Sequence, residues 1–156
     1  MVLKDKIPLF KVYMNPSAKD AVCEVLDSGY IGQGPKVDEF EKQIGDYFGN
    51  KKVITTNAGT SALHLALHLL KKPKPHWNED VFQGVAFVSH NWPGIEDGDE
   101  VLATPLTCTA SNWPIVANNL KIKWVDIDPT TLNMDLEDLE RKMTPKTKAI
   151  MGVQWG

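Results

Sequence analysis

A short β-branched run, followed directly by a tight turn and a strongly apolar segment, constrains the fold of this chain most. Residues 53–56 read VITT, and the turn Asn57-Ala58-Gly59 leads into TSALHLALHLL. β-Branched residues favour strands, whereas a long run that is apolar nearly all round favours a buried helix. The sequence therefore predicts a strand at 53–56, a turn at 57–59 and a buried helix after the turn.

The alternation of strand and helix continues through the second half of the chain. The patterns predict strands at 100–104, 121–127 and 148–155, a helix within 109–119 and a short helix at 136–143. Asp135 is placed to cap the short helix, and Pro114 indicates either a helix start near Asn112 or a kink. Such alternation is typical of an α/β fold with helices on the faces of a mainly parallel sheet.

Two amphipathic helices are predicted near the amino terminus. The first begins after Ser17, which is expected to cap it, and ends at Gly29. The second covers 35–48, with Pro35 in its first turn and Gly49 beyond its end. Its apolar residues share one face at helical spacing: Val37, Phe40, Ile44 and Tyr47.

Residues 71–97 interrupt this rhythm with three prolines and two glycines. We interpret them as an insertion on the surface of the core, in which VFQGVAFVS (81–89) is expected to form one extra strand. The last residues follow an apolar strand without a closing helix. The expectation from this pattern is that 1–156 form an incomplete domain.

The composition argues against several classes of partner. The net charge is −3, the pI is about 5.8, and the charged residues are scattered singly, which does not favour nucleic acid or an anionic membrane. No stretch approaches the roughly 20 apolar residues of a membrane span, and the start lacks a signal-peptide pattern, so we predict a cytoplasmic protein. Cys23 and Cys108 are expected to be reduced thiols.

The turn Asn57-Ala58-Gly59-Thr60-Ser61 is the most informative candidate site. Free N–H groups at the start of a helix, together with the positive end of its dipole, favour an anion such as phosphate. Gly59 allows close approach of the backbone, and the hydroxyls of Thr60 and Ser61 add donors. Thr and Ser also simply cap helices, so this pattern alone leaves both interpretations open.

For the other polar residues, a structural role explains the sequence better than a catalytic or metal-binding role. Asp126 and Asp128 are interpreted as an acidic strand end and turn, because no further metal ligands accompany them. His64 and His68 have the spacing of a zinc pair but lack a third ligand or the Glu of HExxH, so we expect no metal site. Cys108 as a nucleophile would need an adjacent base, which the sequence does not show.

Four blocks, in order, resemble the pattern of one known family. They read SGYIGQGPKVDEFEKQIGDYFG, VITTNAGTSALHLAL, GDEVLATPLTCTASNWPI and KWVDIDPTTLNMDLEDLERKMTPKTKAIMGVQWG. These blocks are similar to those of the DegT/DnrJ/EryC1/StrS family of pyridoxal-phosphate-dependent sugar aminotransferases. The resemblance covers nearly all of the chain outside 71–97, and the order of the blocks makes it more specific than any one block.

The resemblance implies both a fold and a reaction. The fold would be part of the large domain of the aspartate-aminotransferase-like (fold type I) transferases, with 1–34 forming an amino-terminal helix and a substrate-proximal loop. The cofactor would be pyridoxal 5′-phosphate, and the reaction would move an amino group from glutamate to a nucleotide-linked keto sugar, in a homodimer. Two alternatives stay open: a sugar dehydratase of the same family, and a non-catalytic phosphate-binding or dimerisation module.

The resemblance also assigns roles to individual residues. Gly59 and Thr60, assisted by Ser61, would bind the cofactor phosphate, while Tyr30, Gly32 and Gln33 would lie near the sugar nucleotide. Cys108 takes a position where the family commonly has an aromatic residue against the cofactor ring; a thiol offers a polarizable contact of smaller area.

No catalytic residue is expected within 1–156. The family's cofactor-bonding lysine, and the acidic residue that pairs with the pyridine nitrogen, belong to a later segment. We therefore expect this chain alone to have no transaminase turnover.

Overall fold

The computed structural model of the protein describes residues 11–71 and 93–155, which form two compact units divided between Thr55 and Thr56. The first unit contains helices α1 (Ala18–Ser28) and α2 (Pro35–Phe48). The second contains, in chain order, α3 (Gly59–Leu69), β1 (Glu100–Ala103), α4 (Thr109–Ala117), β2 (Lys121–Trp124), α5 (Leu136–Lys142) and β3 (Thr147–Met151). The predicted extra strand at 81–89, and most of the predicted insertion, lie outside the described residues.

Both helices of the first unit are confirmed, and glycines end them as predicted. Gly29 and Gly49 have left-handed φ values of 76° and 66°, which glycine adopts without a steric penalty. The capping role predicted for Ser17 is wrong. The amide and hydroxyl of Ser17 both donate to Oδ1 of Asn15, at 3.1 and 3.0 Å. Ser17 already has helical dihedral angles, so its hydroxyl does not accept from the first turn.

The predicted strand at 53–56 is not found in the described structure. A strand needs a ladder of backbone hydrogen bonds to a neighbouring strand. The amide of Thr55 instead donates to Oε1 of Glu41 at 2.7 Å, and its hydroxyl donates to the same atom at 2.8 Å. These two bonds lower the pKa of the Glu41 carboxyl. A side chain on α2 thus satisfies the donor that a strand would have used.

The second unit is built on a three-stranded parallel sheet in the order β2-β1-β3. Val101 in the central strand pairs with Ile122 on one side and Ala149 on the other. Helix α4 connects β1 to β2, and α5 connects β2 to β3, so the predicted α/β arrangement with a parallel sheet is confirmed. Strands β2 and β3 end earlier than predicted.

The core of this unit lies where α3 and α4 pack beside the central strand. Its buried members are Leu67, Ile95, Val101, Ala103, Ile115 and Leu120. The prediction that α3 is a buried helix is wrong, because Leu67 is its one buried residue and Leu69 is 61% exposed. Packing against α4 covers one side of the helix. On α2, similarly, Phe40 and Tyr47 of the predicted apolar face are exposed.

The predictions for the start of α4 and for the cap of α5 had different outcomes. Helix α4 begins at Thr109 and continues through Pro114, so the predicted alternative of a start near Asn112 is wrong. The side-chain amide of Asn118 donates to the carbonyl oxygen of Pro114 at 2.9 Å. Helix α5 is capped as predicted, since the Asp135 carboxylate accepts from the first-turn amides of residues 137 and 138.

Candidate functional site

The carboxyl ends of the three parallel strands define one edge of the sheet. The segments that leave this edge are 104–108 after β1, 125–135 after β2 and 152–155 after β3. In open α/β sheets, ligands bind in the crevice outside the carboxyl ends of the strands. This edge is therefore where a site in the second unit is expected.

Helices α3 and α4 both begin at this edge. The rings of His64 and Trp113 lie 5.4 Å apart, and Nζ of Lys71 donates to the carbonyl oxygen of Asn118 at 2.7 Å. Successive positions of α3 therefore meet successive positions of α4, which means that the two helices run in the same direction. Because α4 starts directly after segment 104–108, the start of α3 at Gly59 lies at the same edge.

The start of α3 has the properties of an anion site. Ala58, at the N-cap, has no side-chain acceptor, and the first helical bond runs from the amide of Ala62 to the Ala58 carbonyl at 3.1 Å. No acceptor in the described part of the chain is assigned to the amides of Gly59, Thr60 or Ser61. A Cβ placed on Gly59 would meet no atom within 4 Å, so the space beside Gly59 is open.

The hydroxyl groups of this turn differ in their availability. Ser61 Oγ donates to Oδ1 of Asn57 at 2.8 Å, so its proton is engaged in holding the turn. Thr60 is half-buried and has no such bond among the described residues. Thr60 can therefore add a hydroxyl donor beside the backbone amides, whereas Ser61 contributes its amide.

Cys108 lies at the N-cap of α4, and its side chain is exposed. The segment before it is held by Thr104, which is buried: Thr104 Oγ1 accepts from the Leu106 amide at 3.3 Å, and its carbonyl accepts from Nδ2 of Asn112 at 3.3 Å. Cys108 and Gly59 thus occupy the starts of neighbouring helices at one edge. The expected contact of Cys108 with a cofactor ring stays a prediction.

The three residues expected near a sugar nucleotide lie in the first unit. Tyr30, Gly32 and Gln33 follow α1 in an exposed turn, with the Tyr30 amide donating to Ser28 Oγ at 3.2 Å. The Tyr30 side chain is 63% exposed. Their role towards substrate stays a prediction.

An open cavity of about 850 Å³ lies between the segments that follow β2 and β3. Its lining includes the carboxylates of Asp128, Asp135 and Glu137. Three acidic groups disfavour a phosphate there, which leaves the start of α3 as the better anion site. The Thr130 amide donates to Asp128 at 2.7 Å and is the main cause that lowers the pKa of this carboxyl, as suits a turn-forming Asp.

Sequence reasoning missed Trp155 and Asn133, which meet at this edge. The Trp155 amide donates to Oδ1 of Asn133 at 2.9 Å, and its indole Nε1 donates to the Leu106 carbonyl at 3.2 Å. The available signal was the position of Trp155 at the end of the predicted strand 148–155.

Neither a group of three or more potential metal-binding side chains nor a helix long and apolar enough to cross a membrane occurs within residues 11–71 and 93–155.

Several known proteins resemble this chain in sequence and in fold. The profile of the DegT/DnrJ/EryC1/StrS aminotransferase family matches residues 13–76 and 84–156. The fold is similar to crystal structures of AtS13 from Actinomadura melliaura (49% identity, TM-score 0.72, 92% of this chain and 33% of that one) and the sugar aminotransferase CalS13 from Micromonospora echinospora (44%, 0.71, 93% and 33%).

A third similar structure is a GDP-4-keto-6-deoxy-D-mannose-3-dehydratase from E. coli with bound hydrated PLP. It is 28% identical with a TM-score of 0.72, over 93% of this chain and 33% of that one. The chain spans about a third of the length of these three proteins. They confirm the predicted fold class, and the profile match shows that the chain belongs to the DegT/DnrJ/EryC1/StrS aminotransferase family.

Proposed function

We propose that this chain provides the phosphate-binding part of a pyridoxal 5′-phosphate site in an enzyme that transforms nucleotide-linked sugars. The observation that carries the proposal is the uncapped start of α3, where three amides have no acceptor in the described part of the chain. A phosphate dianion satisfies such donors and interacts favourably with the helix dipole.

Each residue of the turn has a separate task towards the phosphate. Gly59 and Thr60 donate their amides, and Gly59 lets the phosphate approach because it has no side chain. The Thr60 hydroxyl adds one donor, and the bond from Ser61 to Asn57 keeps the turn in shape. Cys108, at the start of the neighbouring helix, lies beside the ring of the cofactor, and Tyr30, Gly32 and Gln33 contribute to the sugar-nucleotide site.

The reaction that we propose is transfer of an amino group from glutamate to a keto sugar, in a cytoplasmic homodimer. When bound, pyridoxal phosphate supplies the electron sink for bond changes at the amino-bearing carbon. The similarity to CalS13, described as a sugar aminotransferase, supports this reaction at 44% identity. The lower identity to the dehydratase, 28%, makes dehydration the second candidate.

Isothermal titration with pyridoxamine 5′-phosphate tests the phosphate site directly. This probe has no aldehyde and so does not react with surface lysines. Pyridoxamine, which lacks the phosphate, serves as the matched control. Because a hydrogen bond to a charged group contributes about 1.5–3 kcal/mol, losing even one should weaken binding about 10-fold or more. Equal affinity for the two compounds would contradict the proposal.

The two reactions are distinguished by labelling. With ¹⁵N-glutamate and a nucleotide-linked keto sugar, amino transfer places the label in the sugar product. Dehydration yields a product that has lost oxygen and contains no label. Mass spectrometry of the enzyme that contains this chain separates these outcomes.

A further inference from the structure

Trp155 connects the segments that leave all three strands. It lies beyond the end of β3, and its amide donates to Asn133 Oδ1 at 2.9 Å, in the segment after β2. Its indole Nε1 donates to the carbonyl oxygen of Leu106 at 3.2 Å, in the segment after β1. One residue thus links the three segments at the edge where the candidate site lies.

The bond to Leu106 acts on the segment that carries Cys108 into α4. Leu106 is also held through its amide, which donates to Oγ1 of the buried Thr104 at 3.3 Å. Thr107 closes the turn through its amide, which donates to the Pro105 carbonyl at 2.9 Å. Segment 104–107 is therefore fixed between a buried threonine and an indole.

The exposure of Trp155 indicates that hydrogen bonding, rather than core packing, accounts for its place. The residue is 51% exposed, which leaves much of the ring outside the core. Trp113 in α4 is 52% exposed and makes an edge contact with His64, but no acceptor for its indole N–H is assigned among the described residues. Trp113 therefore offers the same side chain without the bond.

We propose that Trp155 is a positioning residue of the cofactor site, a role that rests on the proposed function. Its indole N–H holds segment 104–107, and this fixes where Cys108 stands relative to the start of α3. Trp155 therefore affects the part of the site that faces the cofactor ring. The phosphate is bound by α3, which Trp155 does not contact through its hydrogen bonds.

The test compares Trp155→Phe with Trp113→Phe as the matched control. Each change removes an indole N–H and keeps an aromatic ring, but only the first removes a hydrogen bond in the described structure. Losing one neutral bond should weaken binding of pyridoxamine 5′-phosphate about 2- to 10-fold. Binding of inorganic phosphate, which needs only α3, should stay unchanged. Hydrogen exchange measured by mass spectrometry over 104–112 should be faster in Trp155→Phe alone.

The remaining outcomes count against the idea in different ways. Unchanged affinity of Trp155→Phe for pyridoxamine 5′-phosphate overturns the positioning role. An equal loss of affinity for both ligands also overturns it, because that result indicates a general structural defect. If the unaltered protein binds neither compound, the proposed function itself fails, and the positioning role fails with it.

Discussion

Replacing Gly59 by alanine should weaken ligand binding without lowering the stability of the fold. Gly59 is the first residue of α3, its φ is not in the left-handed region, and an added Cβ meets no atom within 4 Å. The folded chain can therefore accept alanine without strain. Alanine also loses less backbone entropy on folding than glycine, so the free energy of unfolding should stay the same or rise by up to about 1 kcal/mol.

The same methyl group should weaken cofactor binding. It occupies the open space beside Gly59, through which the phosphate is proposed to approach the Gly59 and Thr60 amides. Displacing the phosphate from one charge-assisted hydrogen bond removes about 1.5–3 kcal/mol, which corresponds to roughly a 10- to 100-fold loss of affinity. Stability and affinity thus move in opposite directions.

Urea unfolding and titration with pyridoxamine 5′-phosphate measure the two quantities. Titration of both proteins with pyridoxamine, which lacks the phosphate, is the control, and we expect Gly59→Ala to leave that affinity unchanged. A Gly59→Ala protein that binds pyridoxamine 5′-phosphate as tightly as the unaltered protein would refute the reasoning, and so would a Gly59→Ala protein that is clearly less stable.

Three further predictions concern the fold. Gly45→Ala should destabilise by about 1–3 kcal/mol in urea unfolding, because its Cβ would lie 2.8 Å from the carbonyl oxygen of Asn50; an unchanged midpoint would contradict this. Ile115→Ala should cost about 2–5 kcal/mol and Ile115→Val about 0.5–1.5 kcal/mol, since Ile115 is fully buried, and equal costs would count against core packing. Donation from the Asp126 amide, aided by Lys142 and Arg141, lowers the pKa of Asp138 to about 2. A lowered folded-state pKa stabilises above the unfolded value of about 3.9, so stability should fall as pH drops from about 4 through 2, and Asp138→Asn should flatten that loss in acid melts.

Features set by local chemistry could be predicted from the sequence. Gly29 and Gly49 end their helices because a left-handed residue is needed there, and Asp135 caps α5 because its short carboxylate reaches two amides. The parallel sheet followed from alternating strand and helix patterns. The two glycine ends and the Asp135 cap depend on no distant neighbour.

Features set by distant neighbours were predicted poorly. Residues 53–56 have β-branched composition, yet Glu41 takes the amide of Thr55 and no strand ladder is found in the described structure. Helix α3 is apolar nearly all round, but the burial of each face depends on which element packs there, so Leu69 is exposed. Composition reports the preference of a segment, whereas pairing and packing decide its environment.

The residues of the candidate site also differ in whether local sequence or a distant neighbour determines their place. The turn at Gly59 was found because its donors are consecutive in sequence. Trp155 was missed because its indole bonds to a carbonyl 49 positions earlier in the chain, and no local pattern marks that contact. Cys108 was identified by family resemblance, and its place at the start of α4 became visible only with the fold.

The central claim is that the amides at the start of α3 bind the cofactor phosphate. The most direct measurement is a ¹H–¹⁵N NMR titration that follows the amide signals of Gly59, Thr60 and Ser61. We predict that inorganic phosphate and pyridoxamine 5′-phosphate shift these signals, while pyridoxamine leaves them in place. Signals that stay fixed with both phosphate compounds, while others in the chain shift, would contradict the claim.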